Sequence, residues 1–346
     1  MKFPNLALKS THIGSLPYTD IKAALEVSFS FDIPAWPQLS KFKEEGMLWQ
    51  FIGDFPGFSL SEEKVYSNHP SFEEDMLKIY ERYVEVLEKR DKTLLFSFLK
   101  KDFSKAFFPF LEKAKEMSSS LLKGQITGPF TLGISLKNEE GSPIIFREDL
   151  RDLLVKFITL KALSQALYLK EVASEVIIFL DEPGLSGFGS SAYVSLSKDL
   201  VAESLKEIIL TLKSFNIITG IHVCANTSWD LLLETEVDIL SLDSFTYFER
   251  FALYGEKICE FLEKGGYIAW GAIPTDNHIL KGIDEKEVLH SFLEGLKSLA
   301  EKTSFKEEDL LARSLLTPAC GLGSLSEDLV PKVVSLINSI KKAFGK

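Results

Sequence analysis

The chain alternates short apolar runs with longer amphipathic segments, and this alternation constrains the fold more than any other feature. Eight runs are rich in apolar or β-branched residues, and each ends in unusual polar residues. They are Thr11–Pro17, Phe31–Gln38, Leu121–Thr127, Val176–Asp181, Ile217–Cys224, Val237–Asp243, Tyr267–Pro274 and Leu315–Cys320. Strands that alternate with helices indicate a parallel sheet. Eight such units predict an α/β fold, a (β/α)8 TIM barrel, with residues 1–346 forming a single domain.

Helical periodicity occupies most of the intervals between these runs. Apolar residues recur there at the spacing of an amphipathic helix. The helical segments are Glu73–Lys89, Glu148–Val172, Lys198–Lys213, Glu249–Lys264, Glu285–Leu299 and Glu327–Phe344. Two long connections, 53–71 and 137–142, are interpreted either as lids or partner surfaces or as solvated loops. A doubly wound open sheet is the structural alternative, and it would concentrate the ligand residues at one switch point.

Charge and composition exclude several classes of function. The formal net charge is −11, and such a surface repels the phosphate backbone of nucleic acids. The segment Met1–Asn5 lacks the layout of a signal peptide, and no apolar run approaches the roughly 18 residues of a membrane span. Three cysteines do not make a disulfide framework. The sequence therefore predicts a cytoplasmic protein that binds neither nucleic acid nor membranes.

A histidine and two cysteines stand at the ends of predicted strands. His222 and Cys224 lie two residues apart, so their side chains project to the same side of a strand. Cys320 ends the last run, between Pro318 and Gly321. Imidazole and thiolate are ligands that Zn²⁺ prefers, and three protein ligands leave a position for substrate. The alternative is that all three are ordinary core residues, as is predicted for Cys259 on a helix.

Acidic and small residues end other runs in a similar way. Asp181 and Glu182 follow five apolar residues, which predicts carboxylates that hold a substrate ammonium group or a metal. Asp243 ends its run in the same manner, either as a fourth oxygen ligand or as a helix cap. Gly14 beside Ser15 forms a backbone that can approach an anion, although a simple strand-to-turn pair has the same pattern.

Together these motifs resemble a known enzyme family. The five that carry the resemblance are Ile13-Gly14-Ser15, Thr127-Gly128-Pro129, Asp181-Glu182-Pro183, His222-Val223-Cys224 and Cys320-Gly321-Leu322. They occur in the order found in the C-terminal catalytic barrel of cobalamin-independent methionine synthase, over the stretch from about Thr11 to Leu322. The segment around His222 is also similar to zinc methyltransferases that transfer methyl groups from corrinoids to thiols. Both groups belong to the superfamily that includes uroporphyrinogen decarboxylase.

The resemblance implies a set of residue roles. His222, Cys224 and Cys320 would bind Zn²⁺, and Asp243 stands where the synthase has a glutamate as the remaining ligand. Asp181 would hold the amino group of an amino-acid thiol such as homocysteine. The residues that would contact its carboxylate are Ile13, Gly14 and Ser15. The synthase has a second carboxylate for the amino group, for which this chain offers Glu44 or Glu45.

The implied function is zinc-dependent methyl transfer to a thiol, with homocysteine as the acceptor and methionine as the product. The folate-binding half of the full-length synthase has no counterpart in this chain. This favours a methyl-corrinoid donor, either methylcobalamin or a separate corrinoid protein. Two alternatives are a decarboxylase of the porphyrinogen type, which needs basic residues at the mouth and no metal, and a non-catalytic module that binds metal or thiol.

Overall fold

The computed structural model describes residues 4–90, 92–99 and 101–345. In chain order the strands are β1 (Lys9–Ser10), β2 (Ser15–Leu16), β3 (Gln38–Leu39), β4 (Phe58–Ser59), β5 (Lys64–Val65), β6 (Leu121–Thr127), β7 (Lys137–Asn138), β8 (Glu175–Asp181), β9 (Ile218–Val223), β10 (Ile239–Leu242), β11 (Tyr267–Ile273) and β12 (Ser314–Pro318). Seven of them form one sheet in the order β1-β12-β11-β10-β9-β8-β6. Every neighbouring pair in this sheet is parallel, so the carboxyl ends of all seven strands meet at one edge.

Helices connect most of these strands. They are α1 (Ile21–Ser28), α2 (Trp49–Ile52), α3 (Phe72–Lys89), α4 (Phe107–Glu116), α5 (Pro129–Ser135), α6 (Glu148–Lys170), α7 (Lys198–Ser214), α8 (Trp229–Leu233), α9 (Ser244–Phe251), α10 (Gly255–Glu263), α11 (Asn277–Gly282), α12 (Glu285–Lys302), α13 (Glu307–Ala312) and α14 (Val330–Ala343). The six predicted helical segments are all present. The segment predicted over Glu249–Lys264 is divided, because α9 ends at Phe251 and α10 begins at Gly255.

The prediction of eight sheet strands is confirmed only in part. The structure is a mixed α/β fold with a seven-stranded parallel sheet, compatible with a TIM-like fold, but the sheet is not a closed eight-stranded barrel. The run Phe31–Gln38 contacts the main sheet through a single bridge, from Ala35 to Lys123, where a full strand was predicted, and its last residue belongs to β3. Pro34 and Pro37 explain this outcome, since proline has no N–H to donate to a ladder.

The first predicted strand, Thr11–Pro17, is also present only in part. The main-sheet strand β1 ends at Ser10, just before this run, and within the run only Ser15 and Leu16 pair, as β2. There β2 pairs with β3 in a separate two-stranded parallel sheet. Residues 11–14 therefore pass between two sheets, and this places the following turn at the same edge as the strand ends.

The two long connections form one structure together. Strands β4 and β5 lie in the connection 53–71 and pair antiparallel, while β7 in the connection 137–142 pairs parallel with β5. The Oγ of Ser67 donates to Glu139 at 2.8 Å and receives a hydrogen bond from Arg147 at 2.8 Å. The two connections are thus joined to each other by this small sheet.

The core of the protein is continuous along the chain. One cluster of buried apolar residues extends from Leu8 to Ile340 and joins the sheet to its helices. A second cluster of ten residues packs against the other face of the sheet and includes Leu121, Ile177 and Phe179. A Cβ at Gly220 would come within 2.2 Å of the Phe179 ring, so glycine at this position leaves the space that the ring fills.

Within the described ranges, the structure contains no helix that is long and apolar enough to cross a membrane.

The buried side chain of His12, which follows strand β1 of the seven-stranded sheet, makes the stability of the folded state depend on pH. His12 is fully buried, and its Nε2 lies 3.0 Å from the carbonyl oxygen of Ala35. Burial, reinforced by the charge of Lys123, lowers the pKa of His12 from 6.5 to about 3. The unfolded chain takes up a proton as the pH falls through about 6.5, whereas the folded chain does not until about pH 3. Acid therefore destabilises the folded state through this group.

We expect His12→Gln to reduce that pH dependence, because a glutamine amide stays neutral and can still donate to Ala35. Between pH 7 and pH 5 the wild-type chain should lose about 2 kcal/mol more unfolding free energy than the variant. The measurement is urea denaturation of both proteins at the two pH values. The comparison with the variant is needed because burial raises the pKa values of Asp181 and Glu182, which stabilises the fold in acid. Equal pH dependence in the two proteins would contradict the prediction.

Candidate metal centre

The parallel ladders bring the predicted site residues to one edge of the sheet. Asp181 is the last residue of β8, and it pairs in register with His222 near the end of β9. Cys224 follows directly after β9, and Cys320 lies two residues beyond β12. Residues from three strands that are distant in sequence therefore meet at the carboxyl-terminal edge.

His222, Cys224 and Cys320 form a group that could hold a metal ion. Each of the three residues offers one ligand atom, and these atoms lie within 4.8 Å of one another. The Nδ1 of His222 lies 2.9 Å from the Oγ of Ser241, its register partner on β10. Its Nε2 is buried without a hydrogen-bond partner in the described structure. A buried nitrogen without a partner is costly unless a ligand completes it.

The chemistry of the two thiols also fits a metal. A hydrogen bond from Cys320 lowers the pKa of Cys224. The same hydrogen bond, together with burial, raises the pKa of Cys320. Cys224 therefore ionises more readily than Cys320, which donates to it. A soft divalent cation would take the place of the shared proton and bind both sulfurs as thiolates, with the orphaned His222 nitrogen as a third ligand.

A cavity of about 410 Å³ lies over this group and is open on one side. It is lined by Ile13, Ser15, Gln38, Ser40, Glu45, Met47, Asp181, Pro183, His222, Cys224, Cys320, Gly321, Gly323 and Ser324. This volume is suited to a small molecule. Among the described residues, the lining holds two carboxylates and several hydroxyl groups but neither lysine nor arginine.

Asp181 lies in the cavity wall as the sequence predicts. The side chain is 7% exposed, and its Oδ1 is buried without a hydrogen-bond partner in the described structure. Burial raises the pKa of Asp181 to about 6, although the charges of Lys123 and His222 act in the opposite direction. A carboxylate oxygen in this state can accept a charge-assisted hydrogen bond from a ligand cation.

The turn at 13–15 forms another part of the wall. Ile13 and Ser15 line the cavity, while Gly14 is not among the lining residues. Ser15 lies against the loop after β12, where its Oγ accepts a hydrogen bond from the N–H of Gly323 at 3.3 Å. A Cβ at Gly321 would come within 2.1 Å of the same oxygen, so this close approach requires glycine.

The carboxylate of Glu182 binds the first turn of helix α5. Its Oε1 accepts a hydrogen bond from the N–H of Phe130 at 2.9 Å, and its Oε2 accepts one from the N–H of Thr131 at 2.7 Å. Burial raises the pKa of Glu182 to about 7 against these hydrogen bonds. Glu182 is not among the residues that line the cavity. The structure therefore gives the two neighbouring acids different environments, because successive side chains of a strand point to opposite faces.

Asp243 acts as a helix cap in the structure. It is the N-cap residue of α9, and its Oδ1 accepts a hydrogen bond from the N–H of Thr246 at 2.8 Å. Burial raises the pKa of Asp243. The group of metal-ligating residues contains His222 and the two cysteines and does not include Asp243. Of the two roles that the sequence allows, capping is the one that the geometry displays.

The structure distinguishes the two acids between which the sequence left the choice open, and it also locates Cys259. Glu45 is 1% exposed and lines the cavity, whereas Glu44 is exposed. Both oxygens of Glu45 accept backbone hydrogen bonds, from Leu39 at 2.8 Å and from Lys105 at 2.7 Å. Cys259 lies half-buried on α10, with its Sγ 3.1 Å from the Oγ of Ser304, and is separate from the group of ligands.

Neither a scan against models of known protein families nor a search of curated proteins gives a match for this chain. The function is therefore argued from the geometry. Two thiols and an imidazole meet at the floor of an open cavity, and a carboxylate with a free oxygen lies in its wall. This arrangement can hold a metal with a position left for substrate and can bind a cationic group beside it.

Proposed function

We propose that the protein is a zinc-dependent methyltransferase whose acceptor is a thiol, with homocysteine as the substrate and methionine as the product. The observation that carries the proposal is the group of His222, Cys224 and Cys320 at the floor of the cavity, with the Nε2 of His222 buried and unpartnered. Two sulfurs and one nitrogen favour zinc over the hard cations magnesium and calcium, which prefer oxygen ligands. The proposed enzyme is cytoplasmic.

Some of the site residues would bind zinc or the acceptor, and others orient the groups that bind them. Bound zinc would keep the acceptor thiol ionised at neutral pH, and the thiolate is the nucleophilic form. In the overall reaction the acceptor sulfur loses its proton and bonds to the methyl carbon, while the bond from that carbon to the donor breaks. Asp181 holds the ammonium group of the acceptor, and the turn Ile13–Ser15 lies where its carboxylate would be bound. Ser241 fixes the ring of His222 through Nδ1, which leaves Nε2 as the ligand atom.

The methyl donor in this proposal is a methyl-corrinoid, either methylcobalamin or a corrinoid protein. The cavity has room for a small acceptor but not for a corrinoid ring as well, so the donor would present its methyl group from the open side. Met47 lines the cavity and is 40% exposed, which supplies an apolar rim for such a partner. Holding the two reactants in line would supply much of the rate acceleration.

We also interpret the fold as a variant (β/α)8 barrel in which the second strand is reduced to one bridge and two backbone hydrogen bonds. The N–H of Ile33 donates to the carbonyl of Ser10 at 2.9 Å, and the N–H of Lys123 donates to the carbonyl of Pro34 at 2.9 Å. Residues 33–36 thus connect the two edge strands β1 and β6. In such a barrel the site lies at the carboxyl ends of the strands, which is where the ligand group is found.

The two alternatives lack a supporting observation. A decarboxylase acting on a polycarboxylate would need basic residues in the cavity, and the described residues that line it include neither lysine nor arginine. A module that only stores metal would not need a buried carboxylate, that of Asp181, in the cavity wall beside the ligands.

The proposal is tested with zinc-loaded protein and L-homocysteine, with methionine measured by mass spectrometry. We expect methionine to form with methylcobalamin as the donor and not with 5-methyltetrahydrofolate. A control reaction without protein gives the background rate of methyl transfer. Product from methyl-folate alone would contradict the choice of donor, and no product from either donor would contradict the methyltransferase proposal.

A further inference from the structure

Lys123 is a fully buried lysine whose ammonium group lies just below the candidate site. It follows Leu121 by two residues on β6, so both side chains lie on the face of the sheet that carries the second cluster of apolar residues described above. Its Nζ lies 4.6 Å from the centre of the Phe179 ring, and Phe179 precedes Asp181 by two residues on the neighbouring strand. The ammonium group is therefore placed beneath the end of β8 that carries Asp181.

The hydrogen bonds of Lys123 lead to the turn in the cavity wall. Its Nζ donates to the carbonyl oxygen of Ile13 at 2.6 Å and to the Oε1 of Gln125 at 3.3 Å. Burial lowers the pKa of Lys123 to about 8, so the group still carries a proton for these bonds at pH 7. Asp181 supplies the opposing charge that limits this shift.

The side chains of Gln38 and Gln125 lie against the turn Ile13–Ser15. A Cβ at Gly14 would come within 2.5 Å of the Oε1 of Gln38 and within 2.8 Å of Gln125. Gln125 in turn donates to the carbonyl of Trp36 at 2.9 Å. Lys123, Gln125 and Gln38 thus form a buried polar platform under the turn Ile13–Ser15. The platform lies where the main sheet has no continuous strand between β1 and β6.

We propose that Lys123 is a positioning residue of the thiol site, which fixes the Ile13 carbonyl and so holds the turn Ile13–Ser15 in place to bind the acceptor's carboxylate. This inference rests on the proposed function. A buried ammonium group costs free energy that an apolar chain of similar length would avoid. Residues 11–14 belong to neither sheet and so have no ladder of strand hydrogen bonds to hold them in place. The hydrogen bond from Lys123 to the Ile13 carbonyl compensates for that loss.

The test compares two thiols that differ in one group. L-homocysteine carries a carboxylate, and 3-aminopropane-1-thiol is the same molecule without it. Affinities for both are measured by calorimetry on the zinc-loaded full chain. We expect Lys123→Met to weaken L-homocysteine binding by about tenfold and to change 3-aminopropane-1-thiol binding by less than about threefold. Lys123→Gln, which keeps a donor for the Ile13 carbonyl, should recover most of the homocysteine affinity.

The matched control is Lys161→Met, which removes another buried lysine on α6. Lys161 is 4% exposed and pairs with Asp54 away from the cavity lining, so its loss should leave both affinities unchanged. Unchanged homocysteine binding in Lys123→Met, or an equal loss for both thiols, would overturn the positioning role. If Lys123→Met does not fold, Lys123→Ala replaces it in the same comparison. Wild-type protein that binds neither thiol would instead refute the proposed function, and the role of Lys123 with it.

Discussion

Replacing Cys320 by serine should abolish zinc binding, which we expect at about one ion per wild-type chain. The cluster offers three ligand atoms within 4.8 Å, and the serine hydroxyl is a poor substitute for a thiolate at neutral pH. Changes to groups that only orient ligands cost about 10–100-fold in metal affinity. Removing a ligand should therefore cost at least about 100-fold, and methyl transfer should be lost with the metal. The measurement is zinc content by mass spectrometry after dialysis against a weak chelator.

Cys259→Ser is the matched control, because it makes the same chemical change outside the ligand group. Cys259 lies on α10 beside Ser304, so this variant should retain zinc and activity. The fold of each variant is checked by circular dichroism, since loss of metal from an unfolded chain would not be informative. A wild-type protein that stays metal-free with all three ligands intact would contradict the zinc site. Full zinc retention in Cys320→Ser would exclude Cys320 as a ligand.

The ligand group could be predicted because parallel strands place their carboxyl ends at one edge. His222, Cys224 and Cys320 were each located at the end of an apolar run, and the prediction that they lie together is confirmed. Nothing in the spacing of 96 residues between Cys224 and Cys320 indicates proximity by itself. The inference depended on the periodicity of the whole chain, which also predicted the helical segments.

The second strand could not be predicted correctly from its apolar composition. Phe31–Gln38 contains two prolines, and the loss of their N–H groups limits its pairing with the main sheet to a single bridge. Prolines inside an apolar run were the available signal for this difference. The first strand was predicted too late in the chain, since the strand that pairs with β12 is Lys9–Ser10.

Roles that depend on side-chain direction were harder to assign. Asp181 and Glu182 are adjacent in sequence, but only Asp181 lines the cavity, because Glu182 binds the first turn of α5. The signal was the start of that helix at Gly128-Pro129, because glycine at the N-cap position has no side chain that could cap the free N–H groups. Lys123 and Gln125 were overlooked within an apolar run, although polar residues at alternate positions of a strand indicate a shared face.

Replacing Asp181 by asparagine should lower kcat/KM for L-homocysteine by about 10–100-fold while leaving zinc bound. The change keeps the size of the side chain but removes the charge that would pair with the ammonium group of the acceptor. A charge-assisted hydrogen bond of this kind contributes about 1.5–3 kcal/mol, which corresponds to the expected factor. The buried Oδ1 of Asp181 has no hydrogen-bond partner in the described structure, so the variant should break no hydrogen bond at that atom, although Lys123 loses the opposing charge of Asp181.

An acceptor without the ammonium group separates charge recognition from general damage to the site. With 4-mercaptobutanoate, which keeps the thiol and the carboxylate of homocysteine, wild-type protein and Asp181→Asn should differ by less than about threefold in kcat/KM. Asp243→Asn is the matched control, because asparagine is also a good N-cap and α9 should stay intact. We expect that variant to retain zinc and most of its activity on both acceptors. An equal loss of activity on both acceptors in Asp181→Asn would show that the carboxylate supports the site itself rather than the ammonium group of its substrate.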